Sequence, residues 1–310
     1  MIHQPCVDGS IGFQRGLNGG LNATTARRWA LIVYAKFQRG ILVKLFYQSM
    51  GVARRSESGL YAQSLTKTLQ GAAAPGTSIS VHGLGPGKAI ADQYRFLELL
   101  DTQEILENGL RAEKDGYDAF LIGNIFEPGL HALREALNIP VLGLCESSVQ
   151  LACLMGAGFS IVNVNPKFTR RITENIASTG LSSRLISIDE MQVERGQVLD
   201  RAFEDEAVRA NVIGQFMAAA RQGAAKGAEV VIPAGGIVMA ILASAGVYAV
   251  DSVPVVNGLI ALVKIAELAV QVRQLTGSFT SKRMMYAPPS GKLLADIRKS
   301  YGEHLYPGAT

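Results

Sequence analysis

What this sequence has little of narrows its chemistry first. Only 3 cysteines and 4 histidines occur in 310 residues. Cys6, Cys145 and Cys153 fit neither a metal-ligand spacing nor an even disulfide framework, and the histidines are isolated from one another. No metal site can be read from them, and a reducing cytoplasm is the expected compartment. Charged residues are sparse at 18%, with 30 Lys and Arg against 26 Asp and Glu. The net charge of +4 is too small and too scattered for a nucleic-acid surface, although it favours an anionic small molecule over a cationic one. Long apolar runs are missing too. The richest stretch, Val253 to Val272, is interrupted by Asn257, Lys264 and Glu267, short of the ~18 residues a membrane span requires. The first 40 residues hold Arg27-Arg28 and an apolar run from Trp29 to Tyr34 but no small-residue cleavage site, which argues against a secretory signal.

What is present is a chain 48% hydrophobic and long enough for two domains of about 100 to 150 residues. From Ile41 onward short apolar runs alternate with segments of helical period, the pattern of repeated β-α units around a mainly parallel sheet. Strands are predicted at Ile41–Phe46, Ser78–His82, Ala119–Gly123, Pro140–Leu144, Ser160–Val164, Arg184–Ile188, Val230–Pro233 and Pro254–Val256. Gly83-Leu84-Gly85-Pro86-Gly87 and Glu127-Pro128-Gly129 mark loops at strand ends. The first of these lacks a Walker Lys-Ser/Thr and does not open a helix after the first strand, so it does not read as a nucleotide site.

A weak internal repeat carries more information. Asp118-Ala119-Phe120-Leu121-Ile122-Gly123-Asn124, a helix, then Ile139-Pro140-Val141-Leu142 is echoed by Glu229-Val230-Val231-Ile232-Pro233-Ala234-Gly235, a helix, then Val253-Pro254-Val255-Val256. The predicted fold class is therefore α/β: two pseudo-symmetric domains, each with a mainly parallel sheet flanked by helices, and an active site in the cleft where equivalent strand ends meet. The expected boundaries are a 1–40 extension, a first domain of 41–145 with 254–276 returning to it, a second domain of 146–253, and a tail of 277–310. Both termini are expected to pack on a neighbouring subunit or to cover the cleft, with a homo-oligomer as the assembly.

These same segments resemble a known family. Asn124-Ile125-Phe126-Glu127-Pro128-Gly129-Leu130 followed by Pro140-Val141-Leu142-Gly143-Leu144-Cys145-Glu146-Ser147 is similar to hydantoin racemases and their glutamate and aspartate racemase relatives. Pro254-Val255-Val256-Asn257-Gly258 resembles the last strand and returning helix of that family, and the likeness spans about residues 41 to 276. It implies chemistry at an activated carbon of a small carboxylate or cyclic ureide, without metal or organic cofactor. In the family two cysteines, one per half, flank the substrate carbon; one removes a proton and the other returns one. Here those positions are Asn124 and Ala234, and neither side chain transfers a proton at neutral pH.

Three explanations stay open. The natural protein has cysteine where this chain has Ala234, giving a Cys-Gly-Gly run that would resemble arylmalonate decarboxylase, for which one cysteine suffices; another group has taken over; or the site binds without catalysis. A hydrolase of an amide or cyclic imide, with a cysteine at position 234 as nucleophile, is a further enzyme class.

Other residues join the candidate site. Cys145, between a strand and a helix, is placed for a lowered-pKa thiol, against the plainer reading of a small buried hydrophobe. Glu146 could orient a substrate or act as a base, or simply stabilise the helix N-terminus. Tyr47, Gln48 and Ser49 fall where hydantoin racemases carry a polar loop, with a helix cap as the alternative for Ser49. Asn163 and Asn165 follow the equivalent strand as polar contacts or loop caps. Gly235 and Gly236 allow close backbone approach and offer N–H groups to a carboxylate or enolate. Ile125 and Ser147 complete the expected lining.

Overall fold

In the computed structural model the described residues are 42–51, 59–89, 94–193 and 196–310, the side chains of 196–198 excepted; the first 41 residues, Ile41 and Cys6 among them, lie outside. Strands form where the apolar runs were densest. β1 (Val43–Gln48), β2 (Thr77–His82), β3 (Ala119–Ile122) and β4 (Val141–Gly143) make one parallel sheet in the order β2-β1-β3-β4. β5 (Phe159–Asn163), β6 (Leu185–Glu190) and β7 (Val230–Pro233) make a second, ordered β6-β5-β7 and also parallel. Every residue of β3, β5 and β7 is buried, as expected for strands covered by helices on both faces.

Helices fill the connections: α1 (Leu60–Ala72), α2 (Arg95–Lys114), α3 (Leu130–Ala136), α4 (Leu144–Met155), α5 (Pro166–Ser178), α6 (Gly196–Arg201), α7 (Glu206–Ala225), α8 (Gly236–Ser244), α9 (Gly258–Thr276) and α10 (Gly291–Tyr301). Several starts follow from local chemistry. Asn165 precedes Pro166 and its side chain accepts from the Lys167 amide at 2.9 Å; Asp205 accepts from Ala207 and Val208, and Asn257 from Leu259. The first sheet packs Phe46, Phe120, Ile122 and Val141 against Ile105, Leu110, Leu133 and Leu137 of the flanking segments. No helix among the described residues is long and apolar enough to cross a membrane.

The chain is thus α/β with two parallel sheets flanked by helices. Predicted strand bounds move by a residue or two, and one shift matters: β1 runs through Gln48, so Tyr47 and Gln48 are strand residues and not the polar loop expected there. Leu144, assigned from sequence to a strand end, opens α4. The segment near residue 254 is β9 (Val253–Pro254), antiparallel to an unpredicted β8 (Ala249–Val250), and Val255 bridges to Val231 of the second sheet. Helix α9 then crosses to pack on α1 and α4.

The tail has contacts that the sequence did not indicate. Beyond α9 it lies on α2 and α3 of its own chain. Lys282 donates to the carbonyls of Arg134, Glu135 and Leu137 at the end of α3, a cation where the helix dipole is negative. Tyr286 stacks on His131, the Tyr306 hydroxyl donates to Glu135 at 2.8 Å, and Leu305 adds to the apolar cluster beneath. Partial burial of Leu305 and satisfaction of free carbonyls hold the tail against its own chain.

Candidate active site

The two halves meet at corresponding strand ends. The Gly123 amide donates to Gln48 O at 2.8 Å and the Ala234 amide to Val162 O at 2.7 Å, so each residue extends its ladder one step past β3 and β7. A Cβ placed on Gly236 would stand 3.5 Å from the Gly123 carbonyl and 3.7 Å from the Tyr61 hydroxyl. The segments that follow β3 and β7 therefore lie close together, Asn124 in the first and the fully buried Ala234 in the second. Gly235, at φ +105° and with open space where a Cβ would be, turns the chain into α8 in a conformation other residues rarely adopt.

Tyr47 closes the floor. It is fully buried, its hydroxyl reaches the Gly123 carbonyl at 3.5 Å, and burial, with Tyr61 nearby, pushes its pKa well above the ordinary range. Its ring occupies the space a side chain at position 123 would need. Gln48 is committed inward, donating to Ser49 O and accepting from Asn108 at 2.8 Å, and the Ser49 amide donates to His82 O. These three residues line or brace the first strand end and do not form a free polar loop.

The Asn124 loop is held from both sides. Asn124 Oδ1 accepts from the Phe126 amide at 2.7 Å, folding the loop on itself. From α5, in the second half, Asn175 donates to Ile125 O at 3.0 Å and Arg171 donates to Phe126 O at 3.0 Å and to Glu98 at 3.1 Å. Arg171 and Asn175 are one helical turn apart and hydrogen-bonded to each other, so a single face of α5 grips the loop. Asn163 serves its own loop: its amide donates to Asn165 O and Thr169, and its oxygen accepts from the Asn165 amide.

Behind the loop stands a residue the sequence reading passed over. Glu127 sits at φ +55°, and its carboxyl lies over Gly143 where any Cβ would collide. Its Oε1 accepts from the Glu146 amide at 2.8 Å, so a side chain of the Asn124 loop caps the N-terminus of α4. Burial pushes its pKa up to about 8, against the lowering effect of the backbone donors. The signal was present in Glu127-Pro128-Gly129, a sharp turn carrying an acid beside an apolar strand, but nothing local says where its carboxyl goes.

That arrangement overturns the reading of Cys145 as an activated thiol. Cys145 is buried in the first turn of α4, and burial, then the Glu127 and Glu146 carboxyls, raise its pKa well above the usual thiol value. The helix N-terminus it was expected to exploit is already taken by Glu127. Glu146 is paired with Arg134 at 2.7 Å and accepts from Gln150. Ser147 is buried beside it. Among the described residues no group of three or more His, Cys, Asp or Glu is placed to hold a metal.

Two parallel sheets flanked by helices, with the segments after β3 and β7 close together, define the α/β class of the chain. Comparison with known proteins gives the family. The Asp/Glu/Hydantoin racemase model matches residues 58–266. The chain is 31% identical over 218 residues to a hydantoin racemase of Pseudomonas sp. (strain NS671), covering 70% of this chain and 82% of that one. Among solved structures it resembles allantoin racemase from Klebsiella pneumoniae, with a TM-score of 0.64 at 23% identity over 81% of this chain and 95% of the other. Allantoin racemase from Pseudomonas fluorescens gives 0.62 at 25% identity, covering 80% and 97%. The chain belongs to the Asp/Glu/hydantoin racemase family, and so to the isomerase- and racemase-type enzymes.

Proposed function

We propose that the gap between Gly123-Asn124 and Ala234-Gly236 is the substrate site of a cofactor-independent enzyme acting at an activated carbon of a small carboxylate or cyclic ureide. The observation that supports this reading is that a Cβ built on Gly236 would stand 3.5 Å from the Gly123 carbonyl, so the segments after β3 and β7 lie close together. The first amides of α8, presented by Gly235, suit the oxyanion that forms when such a carbon loses a proton or CO2. The names of the relatives, hydantoin and allantoin racemases, support a cyclic or open ureide as the substrate class.

Asn124 and Ala234 supply no acid or base. Position 234 is therefore where the missing group belongs, and an Ala234→Cys form completes a one-base site; Asn124→Cys with Ala234→Cys completes a two-base one. The Cys145 thiol does not replace either, because it is buried and held protonated. A homo-oligomer in a reducing cytoplasm completes the picture.

The test compares the chain with its Ala234→Cys and doubly substituted forms on hydantoins, arylmalonates, maleate and cyclic imides, following deuterium uptake by NMR, CO2 release and ring opening. Proton exchange or decarboxylation should rise by roughly 10² to 10⁴-fold with Ala234→Cys, the usual contribution of one positioned acid–base group. Loss of optical activity should need both cysteines. Ring opening instead would make the enzyme a hydrolase. Binding without turnover in all three forms would leave a small-molecule binding protein.

A further inference from the structure

Asn124 and Ala234, the positions that the resemblance assigns to the family's cysteines, carry no acidic proton, yet a tyrosine hydroxyl lies close to the segment of each. Tyr47 belongs to the Asn124 side. Its hydroxyl is 3.5 Å from the Gly123 carbonyl, and its ring and hydroxyl fill the space that a Cβ on Gly123 would need. Tyr61 belongs to the Ala234 side. Its hydroxyl stands 3.7 Å from the place a Cβ on Gly236 would take, two residues past Ala234.

Local structure and packing put Tyr61 there. Gly59, left-handed at φ +68°, precedes α1, and Tyr61 falls in the first turn of that helix. Helix α1 packs on α8 and α9, Ser64 Oγ lies 3.5 Å from Ala240 O, and the Tyr61 ring lies against Phe203 with centroids 5.6 Å apart. A side chain carried by the first half thus brings its hydroxyl to the strand-end segment of the second. Space remains beside that hydroxyl although Ala234 and Gly236 are buried. A Cβ on Gly235 would meet nothing within 4 Å, and one on Gly236 would find no other segment of the chain nearer than the Gly123 carbonyl at 3.5 Å. The two missing side chains leave room for a small group between Tyr61, Gly123 and Leu259.

We propose that Tyr61 is the proton donor of this site, acting beside Gly236 in place of a thiol at position 234. The proposal rests on the reading of the site given above and names the group which that reading leaves missing. When a substrate carbon loses CO2, both electrons of the broken C–C bond stay on the carbon. A C–H bond then forms there as the Tyr61 O–H bond breaks, and the phenolate takes a proton back from water. The negative oxygen is left beside the first residue of α8, where the helix dipole is positive. One donor is enough for this step, since no base has to remove a proton first. The other candidates are placed elsewhere: Cys145 is enclosed, the Glu127 carboxyl lies over Gly143, and Tyr47 is packed against Gly123.

The test follows CO2 release from phenylmalonate, and deuterium uptake into the product by NMR, in the native chain, Tyr61→Phe, Ala234→Cys and Tyr61→Phe/Ala234→Cys. Tyr61→Phe keeps the ring against Phe203 and should melt at the temperature of the native chain. It should turn over roughly 10²-fold more slowly, the lower end of what one positioned proton donor contributes. Adding Ala234→Cys to it should restore turnover, because the thiol delivers a proton beside the same glycines; a tyrosine that only supports the fold gains nothing from that thiol. Equal rates for the native chain and Tyr61→Phe overturn the proposal, and so does a loss that Ala234→Cys fails to repair. Turnover confined to the two cysteine-bearing forms overturns it while leaving the reading of the site intact, whereas inactivity of all four forms removes both.

Discussion

Glu127→Gln is the substitution that most directly tests how the two structural layers of the site are joined. The Glu127 carboxyl is buried beneath the Asn124 loop and caps α4, and burial raises its pKa to about 8 from the ordinary 4.5. The folded chain therefore holds this proton more tightly than the unfolded chain. The stability tied to it is fully present below pH about 4.5 and is lost as pH rises through about 8. At about 1.4 kcal/mol per pH unit, the loss across that window is on the order of 5 kcal/mol. Gln keeps the shape and the acceptor for the Glu146 amide but does not ionise. The melting temperature of the native chain should fall between pH 5 and 9 by roughly 10 °C more than that of the variant, at about 2 °C per kcal/mol for a chain of this size. Calorimetric melts of both proteins across that range provide the comparison. Parallel curves would refute the assignment, showing that the carboxyl ionises freely and is not confined against Gly143.

Two further outcomes follow from the same contacts. Arg171→Met should cost about 3 kcal/mol in denaturant unfolding, because it strands the mostly buried Glu98 carboxylate and frees Phe126 O; adding Glu98→Gln should restore part of that loss, and a single variant within 0.5 kcal/mol of the native chain would contradict the clamp. Cys145 should alkylate at pH 8 at least ~100-fold more slowly in the folded chain than in urea, since the thiolate form is suppressed and the side chain is enclosed; rapid, site-resolved labelling by mass spectrometry in the folded state would return Cys145 to the list of reactive groups.

The secondary structure was largely legible before any coordinates. All eight predicted strands appear, because runs such as Ala119-Phe120-Leu121-Ile122 and Val230-Val231-Ile232-Pro233 are apolar throughout and bounded by Gly, Pro or Asn. β8 was missed: two residues long and paired only with β9, it has no periodicity to detect. The overrun of β1 to Gln48 was also hidden, since Tyr47 and Gln48 look polar enough for a loop and become strand only because β2 and β3 pair with them on both sides.

The site divides along the same line. Asn124 and Ala234 each stand just past a matching apolar strand, and that placement in the sequence is what singles them out as the positions the resemblance assigns to the family's cysteines. The Gly-Gly pair after β7 is equally visible there, and Gly235 takes the φ of +105° that residues with side chains rarely adopt. Glu127, Arg171 and Asn175 could not be assigned this way. Arg171 and Asn175 read as the solvated face of a helix, and only the packing of α5 against the other half brings them to Ile125 and Phe126. Cys145 was misjudged for the same reason. A helix N-terminus lowers a thiol pKa only when its amides are free, and whether a carboxyl from a distant turn has reached them depends on three-dimensional proximity. Sequence determined the strands and the turns, because these depend on each residue's own chemistry and its near neighbours. The tertiary structure decided which polar groups are satisfied and which protons are held, because burial and pairing join residues far apart in the chain.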